Sequence, residues 1–375
     1  MLGAINSMLV EMMAAIARKD YEQRRERQAQ GIEKAKAAGK YQGRPVDADL
    51  HKRVTELLGA GLGILATSPA RSLKTITKKE SFPMDAELNA AEKIELNKQY
   101  NDSLKKFDLA TCEAVAVSQS IGVQMAEPHL GHSTYVFARL CNHAIATISA
   151  APRSRWVRAD FEQWDFGVAA SHIRAIVEGY LLFLYIVEEP ESQEEWSARI
   201  NVMYLNDCMR RIKMLSNIGA DEGVRGLQQQ AEELRERLNI NPWFQTLAPQ
   251  VKKRCLSGDN LMIPTRDEML VRAGWEKKTF YAYWDLLSQY AHVLPISFFR
   301  MEPNGRGTGL ENDTDKGYLS TMLDLCADTM VKATDLMATA FPDTAAARQG
   351  LKSKFDPGPR SNRPIPPKPK RTKHR

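Results

Sequence analysis

Residues 161–188 read FEQWDFGVAASHIRAIVEGYLLFLYIVE, and Pro190 follows them. Apolar side chains recur every three or four positions from Phe166 through Ile173, Val177, Leu181 and Leu184, the period of an α-helix, and the proline closes it. This is the most apolar segment of the chain, so whatever packs on it forms the core. Its neighbours share its period. Ala86–Leu109, Ala114–Met125, Ser133–Ile148, Glu194–Ile218, Asp221–Leu238, Arg266–Ala273, Lys277–Val293 and Lys316–Phe341 all read as helices, separated by short breaks such as Pro128 with Gly131, Gly219, Pro242, Gly274 and Pro295. No run alternates as a strand does. The spacing predicts an all-α fold in which residues 85–345 form a multi-helix antiparallel bundle.

Composition agrees with an ordinary soluble protein. A chain of 375 residues has room for two or three domains. Its five cysteines (Cys112, Cys141, Cys208, Cys255, Cys326) lack paired spacing, which favours reduced thiols in a cytoplasm over disulfides or zinc. The apolar run Gly179–Val187 falls short of the roughly 20 residues that span a bilayer. Glu11 and the lack of early basic residues argue against a signal peptide. No cofactor, metal or membrane association is expected.

The first 45 residues form the second informative stretch. Leu2, Ile5, Leu9, Met12 and Ile16 make an apolar helical stripe. A basic continuation runs through Arg24, Arg25, Arg27 and Lys34 to Gly39-Lys40-Tyr41-Gln42-Gly43-Arg44-Pro45. With Glu26-Arg27, Gly31, Ala35, Gly39 and Gly43-Arg44-Pro45, this stretch resembles the long dimerisation and DNA-contact helix of the serine recombinases, the resolvases and invertases, together with its arm. The resemblance covers residues 1–64. Residues 1–45 match the helix and arm, and 46–64, opening at Val46-Asp47-Ala48-Asp49-Leu50, match the first helix of a helix-turn-helix. It implies contact with DNA through Arg24, Arg25, Arg27, Gly31, Lys34, Lys40, Gly43 and Arg44, and a homodimer formed through the N-terminal helix.

The same resemblance stops short of chemistry. In that family the nucleophilic serine lies well upstream of this helix, held among arginines that neutralise the developing phosphate charge. No Tyr-x-Arg-x-Ser strand–loop occurs in the chain. Nor does a recognition helix follow Ile64, where residues 65–84 read as a Lys/Ser/Thr-rich linker. Strand exchange by this polypeptide alone is not expected, and DNA binding should be weak and non-specific. Gly59, Gly61 and Gly63 do not form a dinucleotide loop, because no strand precedes them.

Charge sits at the ends. Residues 1–45 carry a net +4 and residues 352–375 a net +8 in a chain of net +6, so the body is acidic. The Pro-rich basic tail, 346–375, is expected to be disordered.

Within the body, Ser171–Tyr185 and Tyr283–His292 resemble a bacterial all-helical family of unknown function, over roughly residues 100–345. Arg174 and Glu178 stand four apart on one apolar helix, and Ser288 and His292 do so on another. A buried polar cluster of these four is expected. It would serve as a network fixing helix register or as a hydrolytic site with His292 as acid–base and Arg174 as anion clamp. Helical ribonuclease toxins carry an arginine and a histidine on one helix, and Arg139–His143 comes nearest with only three residues between. His129 and His132 read as a loop without a carboxylate to complete a metal site. The six tryptophans read as core or interface aromatics.

The chain thus reads as a composite, an incomplete recombinase segment from a mobile element joined to a helical domain that could begin at Met84. The competing reading is a helical defence or toxin-type effector, a possible nuclease, with an incidental recombinase remnant.

Overall fold

Asn89 opens the first helix by a reciprocal cap. Its side chain accepts from the Ala91 and Glu92 N–H groups while Glu92 reaches back to the Asn89 N–H. A computed structural model describes residues 88–157, 161–299, 301 and 305–358. The recombinase-like helix, its arm, the 46–64 segment and the linker to 84 lie outside these residues, as does the tail from 359. Two units are distinguished, Glu87–Met214 with Asp221–Arg375, and Met1–Ala86 with Leu215–Ala220. Of the second, only residues 215–220 are described, the end of a helix and the turn after it, where Gly219 takes φ +72° and the Ala220 N–H donates to the Leu215 carbonyl at 3.0 Å.

The described residues are helical, and their one extended pairing is an isolated bridge between Trp164 and Gly309. The elements are α1 Ala90–Ile121, α2 Pro128–Ala150, α3 Phe166–Val187, α4 Gln193–Asn217, α5 Asp221–Ile240, α6 Pro242–Thr246, α7 Pro249–Leu256, α8 Arg266–Arg272, α9 Lys277–Ala291, α10 Pro295–Phe298 and α11 Asp313–Ala340. Two short 3-10 turns follow, Pro342–Ala347 and Gly350–Lys352.

Several elements differ from the sequence reading. The expected break near residues 110–113 is absent, because Ala110, Thr111, Cys112 and Ala114 are buried, Thr111 satisfies its hydroxyl on the Phe107 carbonyl at 2.8 Å, and α1 continues to Gly122 at φ +63°. The loop expected at 127–132 is the first turn of α2. Pro128 fills the opening helical position, where a missing N–H costs nothing, and Gly131 lies inside the helix. Helix α3 starts at Phe166 and not at Phe161, since Asp165 caps it by accepting from the Gly167 N–H at 2.8 Å. The short helices α6 and α7 also begin on prolines, and Pro242, which reads as a stop in the sequence, opens the first of them.

The main core joins α1, α2, α3, α8, α9 and α11, with α11 lying along α1 and α2 along α3. Phe107, Phe137, Leu140, Ile173, Ile176, Phe183, Leu287, Leu323 and Met330 fill it. Helix α3 is apolar and long enough, by length and composition, to cross a membrane. Here it serves as the central core helix, with eleven of its side chains buried. A Cβ at Gly179 would meet the Leu140 side chain at 2.8 Å, so the glycine sets how closely α2 and α3 approach. Val202, Leu205, Leu234, Leu238 and Phe244 are buried outside this core, on α4 to α6. Asn206 to the Gly258 carbonyl at 2.8 Å, Asn241 to the Glu194 carbonyl at 2.9 Å and Arg235 to the Leu256 carbonyl at 3.0 Å bind that second layer together.

Residues 346–358, assigned to the tail from sequence, pack on α1 and α11. Arg348 bonds Glu113 at 3.1 Å and pairs with Asp335, and Asp356 accepts from Arg155 at 3.1 Å. Arg155 also makes a fork with the buried Asp108, at 2.6 and 3.0 Å, and Trp156 donates to the same carboxylate at 2.6 Å. These charges satisfy one another, which is why a segment poor in apolar residues still has a fixed path.

Candidate functional site

Helix α9 packs on α3, and the contact brings together most of the residues singled out in the sequence. Arg174 and Glu178 sit one turn apart on α3, while Trp284, Ser288 and His292 follow one another at single-turn spacing along α9. Arg174 Nη1 donates to His292 Nε2 at 2.8 Å, which requires that imidazole to carry its proton on Nδ1. Arg174 Nη2 donates to Glu178 Oε1 at 3.4 Å. Ser288 stays apart, because its hydroxyl donates to the Trp284 carbonyl at 2.7 Å within its own helix.

Two residues not anticipated from the sequence complete the group. The Trp284 indole N–H donates to Glu178 Oε1, and two guanidinium groups approach its ring, Arg174 at 4.7 Å and Arg266 at 4.9 Å from the centroid. Arg266 also approaches Glu178 Oε1 at 3.9 Å. A weakly hydrated guanidinium over an indole face is a favourable cation–π contact, and Trp284 makes two of them. Trp284 stands four residues before Ser288, so the one-turn stripe could have drawn attention to it. Arg266 opens a separate helix and carried no such signal.

The cluster is not the buried network expected from the sequence. His292 is exposed at the C-terminal end of α9, and the Arg174 and Glu178 side chains retain 19% and 36% of their exposure. The reason lies in the position of His292, which caps the helix and donates its own N–H to the Ser288 and Tyr290 carbonyls, so it sits where α9 emerges from the core. The Nε atom of Arg174 is buried and has no hydrogen-bond partner. Chemically, Glu178 already serves both arginines as their anion and the Arg174 N–H occupies the His292 Nε2 lone pair, so an incoming anion must displace one of these contacts.

The histidines read as loop residues face α4. His129 and His132 lie 6.1 and 5.3 Å from the Trp196 ring, and burial lowers the His129 pKa from its ordinary value. His143 does not engage Arg139 by a hydrogen bond. Its Nδ1 meets His172 Nδ1 on α3 at 3.2 Å. Burial first, and the charges of His172 and Arg139 after it, hold His143 below the ordinary imidazole range. Among the described residues no three His, Cys, Asp or Glu side chains group as metal ligands. The DNA-contact residues read from sequence, Arg24, Arg25, Arg27, Gly31, Lys34, Lys40, Gly43 and Arg44, lie outside the described residues.

Three comparisons place the chain among known proteins. No family model matches it, and no solved structure matches it. It is similar to a curated resolvase of Escherichia coli, 46% identical over 67 residues, which make up 18% of this chain and 31% of that protein. The chain therefore spans about a third of the length of the curated relative it matches, and it carries a partial resolvase-like segment.

Proposed function

We propose that this chain is a DNA-associated protein, in which the partial resolvase-like segment contacts DNA and the helical domain performs no strand exchange. The observation that carries the reading is the 46% identity over 67 residues. That length is close to residues 1–64, where the sequence places an apolar stripe, nine Lys/Arg within its first 45 positions and the Gly43-Arg44-Pro45 arm. Arms of this recombinase family enter the minor groove of DNA. Among the described residues, Ser288 of the arginine cluster has its hydroxyl committed to a backbone carbonyl, which suits no attack on phosphodiester. Five free, buried cysteines support a cytoplasmic setting.

Electrophoretic mobility shift of the full chain on duplex DNA tests the reading. Binding should be weak, indifferent to sequence and largely lost between about 50 and 200 mM salt. Combined Arg24→Ala, Arg27→Ala and Lys34→Ala should weaken it on every duplex alike. Salt-resistant tight binding, or none at any salt, would overturn it. A stripe formed by Leu2, Ile5, Leu9, Met12 and Ile16 also favours a homodimer. A monomeric mass at tens of micromolar, measured by sedimentation, would exclude that.

The contact of Arg174 with the exposed His292 favours a second reading, in which the helical domain is an effector with hydrolytic or nucleolytic activity. Expression of the His292→Ala chain in a bacterial host separates the two. Loss of toxicity or phage resistance without a change in melting temperature supports the effector, and an unchanged phenotype removes it.

A further inference from the structure

Between α3, α4, α7 and α8 lies a cleft of about 560 Å³ that plays no part in either reading. Its volume falls in the range of small-molecule sites, roughly 300–1,000 Å³. Trp243, Leu247, Val251 and Ile263 supply apolar wall. Two buried polar atoms of residues that line it, Tyr185 and Arg254, lack what burial ordinarily demands. Tyr185 is 2% exposed, yet its hydroxyl has no hydrogen-bond partner. The Ile263 N–H approaches that oxygen only as a donor and outside hydrogen-bond geometry, so it offers the hydroxyl proton no acceptor. Arg254 gives Nη2 to the Ile263 carbonyl and leaves its buried Nε unpartnered.

The neighbouring charges do not fill the gap. Arg199 is locked to Glu195 and to the Tyr185 and Glu188 carbonyls, and Arg272 pairs with Glu188. Glu268 stabilises Arg254 through space, but its carboxylate accepts from the Thr265 N–H and, at 2.9 Å, from the Thr265 hydroxyl. Among the described residues, Arg254 has no carboxylate within 4.0 Å. Buried donors without acceptors are costly, and they are rare in a native fold unless water or a ligand completes them.

We infer that this cleft binds a small organic anion whose acid group accepts from Arg254 and Tyr185 and whose flat apolar body lies against Trp243, Leu247 and Val251. Burial raises the Tyr185 pKa and so keeps its hydroxyl a donor. A guanidinium and a phenol suit either a carboxylate or a phosphate monoester.

Isothermal titration of the full chain tests this with three probes of one shape: naphthalene-2-carboxylate, 2-naphthyl phosphate and the neutral naphthalen-2-ylmethanol. At least one of the two anions should bind at a single saturable site, and which one does so identifies the acid group. The alcohol should bind roughly tenfold more weakly or not at all, the value of one charged hydrogen bond. Arg254→Gln should remove that preference, and Tyr185→Phe should weaken the anion several-fold. If Arg254→Gln fails to fold, the wild-type ranking and Tyr185→Phe still decide. Absence of saturable binding by both anions, an alcohol that matches them, or anion affinity unchanged by the substitutions would each overturn the inference.

Discussion

Two arginine–glutamate pairs with the same four-residue spacing lie on consecutive helices and end in opposite states. Glu195 and Arg199 on α4 are buried, with side chains 8% and 6% exposed. Every guanidinium nitrogen of Arg199 is engaged, by Glu195 and by the Tyr185 and Glu188 carbonyls, while Glu195 also accepts the Glu191 N–H at 2.6 Å. Arg174 and Glu178 on α3 form a looser contact, with Arg174 Nε unpartnered and an exposed histidine as the other acceptor. Order along the helix contributes. Glutamate ahead of arginine agrees with the helix dipole, and Glu195 occupies the first turn of α4. Spacing therefore brings a pair together, and the surroundings decide whether it becomes a closed strut or an open, chemically available group.

The largest expected effect lies in the closed pair. Glu195→Ala should cost about 3–5 kcal/mol, because it strands a buried guanidinium. Urea unfolding followed by far-ultraviolet circular dichroism measures it. A cost below about 1 kcal/mol would erase the contrast drawn between the pairs. Replacing both partners by methionine should recover only part of the loss, since it removes the stranded charge but leaves the Tyr185 and Glu188 carbonyls and the Glu191 N–H without their partners.

Glu178→Ala should cost less, on the order of 1 kcal/mol. The carboxylate is more than a third exposed, so water replaces part of what it gives Arg174, Arg266 and the Trp284 indole. The same unfolding experiment reads it, and indole fluorescence should report the freed Trp284 N–H. A loss equal to that of Glu195→Ala would mean that the α3 pair is a strut as well.

Much of this contrast could not be read from the sequence. The helical period gave most of the long elements to within about five residues, because each buries one face, but it divided α1, whose start Asn89 caps, into two. The juxtaposition of Arg174 with His292 was also legible, since residues four apart on two core helices must face one side. What failed was depth. Whether α9 ends inside or outside the core depends on where it stops against α3, and no local signal at His292 records that. Glu195 and Arg199 went unnoticed for the converse reason, because a charged helix face usually points to water and the Tyr185 and Glu188 carbonyls that enclose Arg199 belong to the end of the preceding helix. Prolines misled twice, at 128 and 242, because a residue that ends one helix also suits the first position of the next.

His292→Ala follows as a smaller effect, within about 0.5 kcal/mol of wild type. A buried member of a network would cost several times that, but this imidazole is exposed and Arg174 can turn to water when it is removed. A loss as large as that expected for Glu178→Ala would show instead that the open cluster holds α9 to α3.

The smallest effect concerns pH and a third polar contact of α3, that of His172 with His143. Burial, the neighbouring imidazole and Arg139 lower the pKa of His143, so the native state binds a proton there less readily than the unfolded chain does. With both forms neutral well above the ordinary histidine value, about 6.5, the depressed pKa costs nothing. As pH falls through that value the unfolded chain takes up protons first and stability is lost. His129, lowered by burial, and the protonation of paired carboxylates act in the same direction, so wild-type chain alone cannot isolate the effect. The comparison with His143→Gln can. The variant should be slightly less stable near neutral pH, where it lacks the contact with His172, and the gap should narrow as pH falls from about 7 to about 5. Urea midpoints measured across that range check it, and a gap that widens toward acid would show that the pair gains stability from a shared proton and that His143 is raised, not lowered.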